Sequence, residues 1–283
     1  MLPAGAQLVQ IYSDAGEIGR IRDIDLGIAA DCKSTLECLL AATNDSGWPD
    51  WQAWTSLAVS LHARQATAYP EMEGPGGIHP FHAMAAVSEV VGDEAIYAID
   101  GGEAGQWAVG GARVSGPGRM MTTGYFGGLG VAPGYAIGAQ IAAPDRRVVL
   151  VTGDGSLGFH LQEFETMVRH GLPIVTVVLN NEIWGMSLHG QQIMYGRNYS
   201  AISVLGGCNY SSVAAAFGLH GERVTRFDDI APAMRRALEC GRPACVEIMT
   251  DKAVVSPGLL RMLGTVDDGS GHIVIPYYEN IPA

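Results

Sequence analysis

The stretch that decides the fold is RRVVLVTGDGSLGFHLQEFETMVRHGLPIVTVVLNNEIW, Arg146 to Trp184. Val148 to Val151 is a short apolar, β-branched run, the mark of a strand buried on both faces of a parallel sheet. The turn Gly153-Asp154-Gly155-Ser156 follows. Leu161, Phe164 and Val168 then recur at helical spacing, and Gly171 and Pro173 stop that helix. Ile174 to Leu179 is a second buried strand, ending abruptly at Asn180-Asn181. A strand, a helix and a second parallel strand bring both polar strand ends to one sheet edge, where open α/β folds bind ligands.

The chemistry of that edge follows from its residue types. Gly153 and Gly155 carry no Cβ, so backbone N–H groups there can approach a large anion. The positive end of the following helix points at the same place. A diphosphate fits, yet Asp154 would repel it. The conflict disappears if Asp154 holds a divalent cation that also binds the diphosphate, since magnesium shares its oxygen octahedron between protein and phosphate. Asn181 offers a neutral amide oxygen, and the main-chain carbonyl of Ile183 offers a third ligand. Two other readings of the same residues stand beside this one. Gly153-x-Gly155-x-x-Gly158 after a strand is also the dinucleotide fingerprint, with Glu182 near the place of a ribose-binding acid, which would make the chain an NAD-dependent oxidoreductase. The third is an ordinary βα turn with no ligand.

Gly153-Asp154-Gly155, followed at this distance by Asn180-Asn181, resembles the cofactor signature of thiamin-diphosphate-dependent enzymes. The run from Asn180 to Gln192 (NNEIWGMSLHGQQ) resembles benzaldehyde lyase and, slightly less, acetolactate synthase, as do Gly124 to Gly130 and Val213 to Gly218. The likeness covers nearly the whole chain but only the C-terminal half of such enzymes. It implies a cofactor of thiamin diphosphate with Mg2+, the metal held by Asp154, Asn181 and Ile183. It places Gly101, Gly102, Gly128, Gly153, Gly155, Ser156, Ile183, Trp184 and Gly185 along the cofactor. Leu129 becomes the apolar wedge under its two rings, and Met186 and His189 become catalytic candidates on the substrate side. By this resemblance Met186, a methionine as in acetolactate synthases, stands where benzaldehyde lyase has a small residue, which argues against a roomy aromatic pocket.

Composition narrows the class. The chain has 283 residues, 48% hydrophobic, with a formal charge of −12. Neither nucleic acid nor an anionic membrane suits so acidic a protein. The N-terminus reads as no signal peptide. The uncharged run Met120 to Pro144 is long enough to span a bilayer, but its glycines and Pro133 mark a loop and a buried helix. Five scattered cysteines without a CxxC pair point to no zinc site or disulfide framework, and to a cytoplasmic location.

The whole sequence divides as follows. Residues 1–47 read as the last part of a central α/β domain: strands at Gln7 to Tyr12 and Gly27 to Ala30, a helix at Ser34 to Ala42, and Glu17 to Arg20 matching that domain's usual loop. So small a piece cannot cover a sheet, so it is expected to pack on something the chain does not contain. Residues 48–78 read as a linker, including a Trp48, Trp51, Trp54 stripe at helical spacing that is more often packing than ligand contact. Residues 79–252 read as the diphosphate-binding domain, a doubly wound parallel six-stranded sheet. It opens with a helix at His79-Pro80, where His79 and His82 read as capping or surface residues. A strand at Ala95 to Ile99 ends in Asp100-Gly101-Gly102-Glu103, Glu103 being either a substrate contact or a solvated turn acid. Further strands are expected at Val224 to Phe227 and Ala244 to Met249, with a helix between them capped by Asp228. Residues 253–283, with Tyr277-Tyr278, read as a docked tail that is a candidate active-site cover.

In the resembled family a glutamate that activates the cofactor comes from a separate pyrimidine-binding domain, and no stretch here resembles that domain. The expectation is a subunit or fragment of a C–C lyase or carboligase acting on 2-hydroxy ketones or 2-keto acids, in a hetero-oligomer with a pyrimidine-domain subunit. A 2-hydroxyacyl-CoA lyase is the variant within the family. Substrate identity, and whether flavin or CoA binds, are left open by the sequence.

Overall fold

The computed structural model describes residues 5–43, 47, 49–195, 203–263, 266–267 and 273–274. The chain forms two compact units, residues 1–67 and 68–283. In the first, β1 (Val9–Tyr12) pairs in parallel with β2 (Leu26–Ala29), followed by α1 (Cys32–Thr43) and α2 (Gln52–Thr67). The expected strands and the first helix are therefore present. Helix α2 occupies much of the stretch read as linker. Trp51 and Trp54 are more than half exposed; Trp48 lies outside the described residues.

The second unit opens with a hairpin, β3 (Glu73–Gly74) and β4 (Gly77–Ile78), and then α3 (Pro80–Val91). His79 is the N-cap of α3: its Nδ1 accepts the Phe81 N–H at 3.2 Å, with Pro80 in the first turn. Then come β5 (Ile96–Ile99), α4 (Glu103–Gly111), β6 (Met120–Thr122), α5 (Ala132–Ala142), β7 (Val148–Gly153), α6 (Asp154–Leu157), α7 (Glu163–Arg169) and β8 (Val175–Asn180). The chain continues with α8 (Gly185–Tyr195), α9 (Tyr210–Phe217), β9 (His220–Val224), α10 (Ile230–Glu239), β10 (Ala244–Met249), α11 (Pro257–Leu263) and a two-residue pair, β11 (Val266–Asp267) with β12 (Ile273–Val274). Tyr277 and Tyr278 lie outside the described residues.

Six strands form one sheet in the order β6-β5-β7-β8-β10-β9, every neighbouring pair parallel. This is the doubly wound sheet expected from the sequence. Alternate residues of one strand feed opposite cores. Val149 and Val151 pack with Phe81, Met84 and Met234 on one face, while Val148 and Leu150 pack with Phe164, Met167 and Ala214 on the other. Each fully buried aliphatic side chain of this kind contributes roughly 1.5–3 kcal/mol.

Four local expectations shift. The uncharged run contributes an edge strand, β6, before its helix α5, and no helix among the described residues is long and apolar enough to cross a membrane. The strand expected at Val224 to Phe227 is instead β9, because Ala244 of β10 takes His220 as its register partner. Phe227 lies in a 3-10 turn with Asp228, which therefore does not cap α10; the N-cap position is Asp229, without a side-chain bond. The single helix expected after Gly155 breaks into α6, one turn long, and α7, which starts at Glu163. So short a helix brings individual N–H groups to the strand end rather than a long helix dipole.

Candidate active site at the strand ends

Strand order reverses between β5 and β7: β6 lies outside one and β8 beyond the other. Such a switch point opens a crevice at the carboxyl ends of the strands. A cavity of about 360 Å3 sits there. It is lined by the ends of β5 (Gly101, Gly102, Glu103), β7 (Gly153 to Ser156), β8 (Asn181, Ile183 to Ser187) and β10 (Thr250, Asp251), with Thr123, Gly127, Leu129 and Val254.

The cradle around Asp154 requires its glycines. A Cβ on Gly155 would sit 2.7 Å from a ring carbon of Trp184, so the indole lies flush on this backbone only because the residue is glycine. Gly101 has φ +96°, in the left-handed region, and a Cβ there would also press on the Ser156 hydroxyl at 3.0 Å.

Asp154 is 4% exposed. Its Oδ1 accepts the Gly155 N–H at 2.9 Å, while its Oδ2 is buried with no hydrogen-bond partner. Burial pushes the carboxyl up to about 7, against the backbone N–H groups of Gly155 and Glu182 that favour its charged form. A buried carboxylate oxygen without a donor is costly, and a cation is the partner that satisfies it. Among the described residues no cluster of three or more His, Cys, Asp or Glu could hold a metal ion. A cation here would take one carboxylate and neutral oxygens, a set that suits magnesium when phosphate oxygens complete it. The residues therefore fit a magnesium diphosphate.

The strand end of β8 is held by two overlapping turns. Asn180 Oδ1 accepts the Glu182 N–H at 2.9 Å, and Asn181 Oδ1 accepts the Ile183 N–H at 3.3 Å. Between the two candidate metal ligands, Glu182 adopts φ +60°.

Gly101, Gly102, Leu129, Gly153, Asp154, Gly155, Ser156, Asn181, Ile183, Trp184, Gly185 and Met186 all line the cavity. Gly128 does not; it is exposed, beside Val131. His189 does not either. It is 2% exposed, with Nδ1 at 2.6 Å from Glu103 Oε2 and Nε2 at 2.9 Å from the Lys252 carbonyl. With Glu103 as carboxylate both partners are acceptors, an arrangement that favours a ring protonated on both nitrogens. Burial pulls its pKa down, but the hydrogen bond and charge of Glu103 and the Lys252 carbonyl raise it above the ordinary value overall. Glu103 is 4% exposed and therefore no solvated turn acid; its Oε1 also accepts the Ser256 N–H at 2.8 Å.

Sequence reasoning passed over Thr250 and Asp251, although the strand-end logic that found Asn181 applies equally after β10. It also passed over Glu247, a charged residue inside the apolar run Ala244–Met249 and thus a visible signal. Tyr210, whose hydroxyl donates to the Asp154 carbonyl at 2.8 Å, carried none.

Comparison with known proteins agrees with this geometry. The family model "Thiamine pyrophosphate enzyme, C-terminal TPP binding domain" matches residues 100–248, more than half of the chain. Acetolactate synthase large subunit IlvG of Mycobacterium tuberculosis is 36% identical over 81% of this chain and 42% of its own length. Sulfoacetaldehyde acetyltransferase of Alcaligenes xylosoxydans is 28% identical over 90% of this chain and 47% of its own. The solved thiamine diphosphate-dependent 4-hydroxybenzoylformate decarboxylase of Rhodococcus jostii superposes with a TM-score of 0.71 at 26% identity, covering 88% of this chain and 45% of that one. The chain thus spans less than half the length of these relatives. The glycine run that allowed a dinucleotide reading fits it poorly, since Gly158 and Glu182 are both absent from the cavity wall. The sheet order, the cradle at Asp154 and the family match agree that the chain belongs to the thiamine pyrophosphate enzymes and carries their C-terminal cofactor-binding domain.

Proposed function

We propose that this chain is the magnesium- and diphosphate-binding part of an enzyme that makes or breaks a carbon–carbon bond beside the carbonyl of a 2-keto acid or 2-hydroxy ketone. The observation that carries the proposal is the buried Asp154 Oδ2 without a partner, inside a cavity floored by glycine backbone. Names among the relatives, acetolactate synthase and 4-hydroxybenzoylformate decarboxylase, support the reaction class. The five unpaired thiols fit a cytoplasmic location.

Thiamin diphosphate, when bound, supplies the electron sink for this chemistry. The residues supply position and charge. Asp154, Asn181 and the Ile183 carbonyl would hold magnesium, and Gly153, Gly155 and Ser156 would receive the diphosphate. Leu129 would wedge under the rings, with Gly101, Gly102, Trp184 and Gly185 as walls. Met186 packs over Gly102, where a Cβ would meet its side chain at 3.0 Å, and narrows the substrate end. His189 serves as a positioning residue, because both nitrogens are already engaged, one by the cavity-lining Glu103 and one by the Lys252 carbonyl. Catalysis requires a pyrimidine-binding domain on a further chain or segment.

Calorimetric titration with thiamin diphosphate tests the reading. Binding is expected to require Mg2+, and Asp154→Ala should weaken it at least a hundredfold. Equal binding with EDTA, or by the variant, would refute the reading.

A further inference from the structure

Glu247 lies in the middle of β10 and is fully buried. Among the described residues no cation pairs with it. Its Oε1 accepts a hydrogen bond from Asn180 Nδ2 at 2.7 Å, and its Oε2 accepts the Ser211 N–H at 3.1 Å. Asn180, 1% exposed, turns its other amide atom to the Glu182 N–H at 2.9 Å. Glu182 is the one non-glycine residue with positive φ among those described, and Asn181 and Ile183 flank it. A side chain in the left-handed region is disfavoured unless its surroundings impose it.

We propose that Glu247 is a positioning residue for the cation: through Asn180 it holds Glu182 left-handed, and so aims the Asn181 amide oxygen and the Ile183 carbonyl at one point. The inference rests on the metal-site reading given above. A carboxylate suits the position because both its neighbours donate. Glutamine offers one oxygen and one N–H2, so it leaves either Asn180 or the Ser211 amide facing another donor. Outer partners of metal ligands typically govern affinity by ten- to a hundredfold.

The test is a Mn2+ titration, read by electron paramagnetic resonance, of the full chain with saturating thiamin diphosphate. Glu247→Gln, and Asn180→Ser as a second break in the same relay, should each weaken Mn2+ at least tenfold. Glycine adopts positive φ freely, whereas alanine does not. Adding Glu182→Gly to either variant should therefore recover severalfold in affinity. Adding Glu182→Ala, which removes the same charge, should recover none. Wild-type affinity in both single variants, or equal recovery by glycine and alanine, would overturn the proposal. If Glu247→Gln does not fold, the Asn180→Ser series decides alone. A wild-type chain that binds no Mn2+ would overturn the metal-site reading, and this inference with it.

Discussion

Glu103 and His189 form a buried ion pair at the cavity wall, and its consequence is stability that depends on pH. Glu103 stands at the start of α4, His189 within α8, and the Lys252 and Ser256 backbone completes the contact, so the pair joins three segments. The folded-state pKa of His189 lies above its ordinary value. Its contribution is thus fully present below the unfolded pKa of about 6.5 and is lost as pH rises through the higher folded value. Glu103→Gln removes the carboxylate and leaves the imidazolium buried without its partner charge, a change that costs about 3 kcal/mol where histidine is charged. Urea denaturation should show that gap at pH 6 and a smaller one at pH 9. A gap that is constant across this range would contradict the pairing.

The one-turn helix α6 and the indole of Trp184 meet at Gly155, and this contact ties the β7 end to the β8 end. Gly155→Ala should displace Trp184 and close the cradle. Overpacking of this kind costs about 1–3 kcal/mol, and thiamin diphosphate affinity should fall at least tenfold by calorimetry. Trp184→Ala in the same chain should recover part of the affinity by making room for the new methyl. Unchanged affinity in Gly155→Ala would mean that ligand does not approach this backbone. The strands and cradle were legible because Val148 to Val151 and Ile174 to Leu179 are apolar runs, the second broken only by Thr176, that lead into glycine or asparagine, signals written within a few residues. The break between α6 and α7 was not, since Leu161, Phe164 and Val168 keep helical spacing across it. The inward turn of His189 was equally hidden. Its partners, Glu103 and Lys252, lie 86 and 63 residues away in sequence, and only the packed sheet brings them together. Edge strand β6 escaped because its three residues adjoin a glycine-rich run that reads as loop.

The two units of the molecule differ in how they are stabilised. In residues 68–283 a complete sheet buries both faces, whereas none of the residues of 1–67 whose side chains are described is buried. There Leu36, Leu39 and Leu40 of α1 and Trp54, Leu57, Val59 and Leu61 of α2 remain exposed. A two-stranded sheet cannot cover such surface by itself, and exposed apolar area on this scale marks a surface made for contact. The cavity is also chemically incomplete for the proposed reaction. Its acids are Glu103, bonded to His189 and the Ser256 amide, Asp154, whose Oδ1 accepts the Gly155 N–H, and Asp251, whose Oδ1 accepts the Ala253 N–H at 2.8 Å. No glutamate among the described lining residues is left to exchange a proton with an aminopyrimidine. With thiamin diphosphate, Mg2+ and a panel of 2-keto acids, this chain alone should therefore show no turnover in a coupled assay of substrate consumption, while still binding cofactor through Asp154. Adding a pyrimidine-binding domain that carries its glutamate should raise the rate by several orders of magnitude, and replacing that glutamate with glutamine should abolish the gain. Rapid turnover by the chain on its own would refute the division of labour, because it would place the proton-exchanging acid among the residues already present.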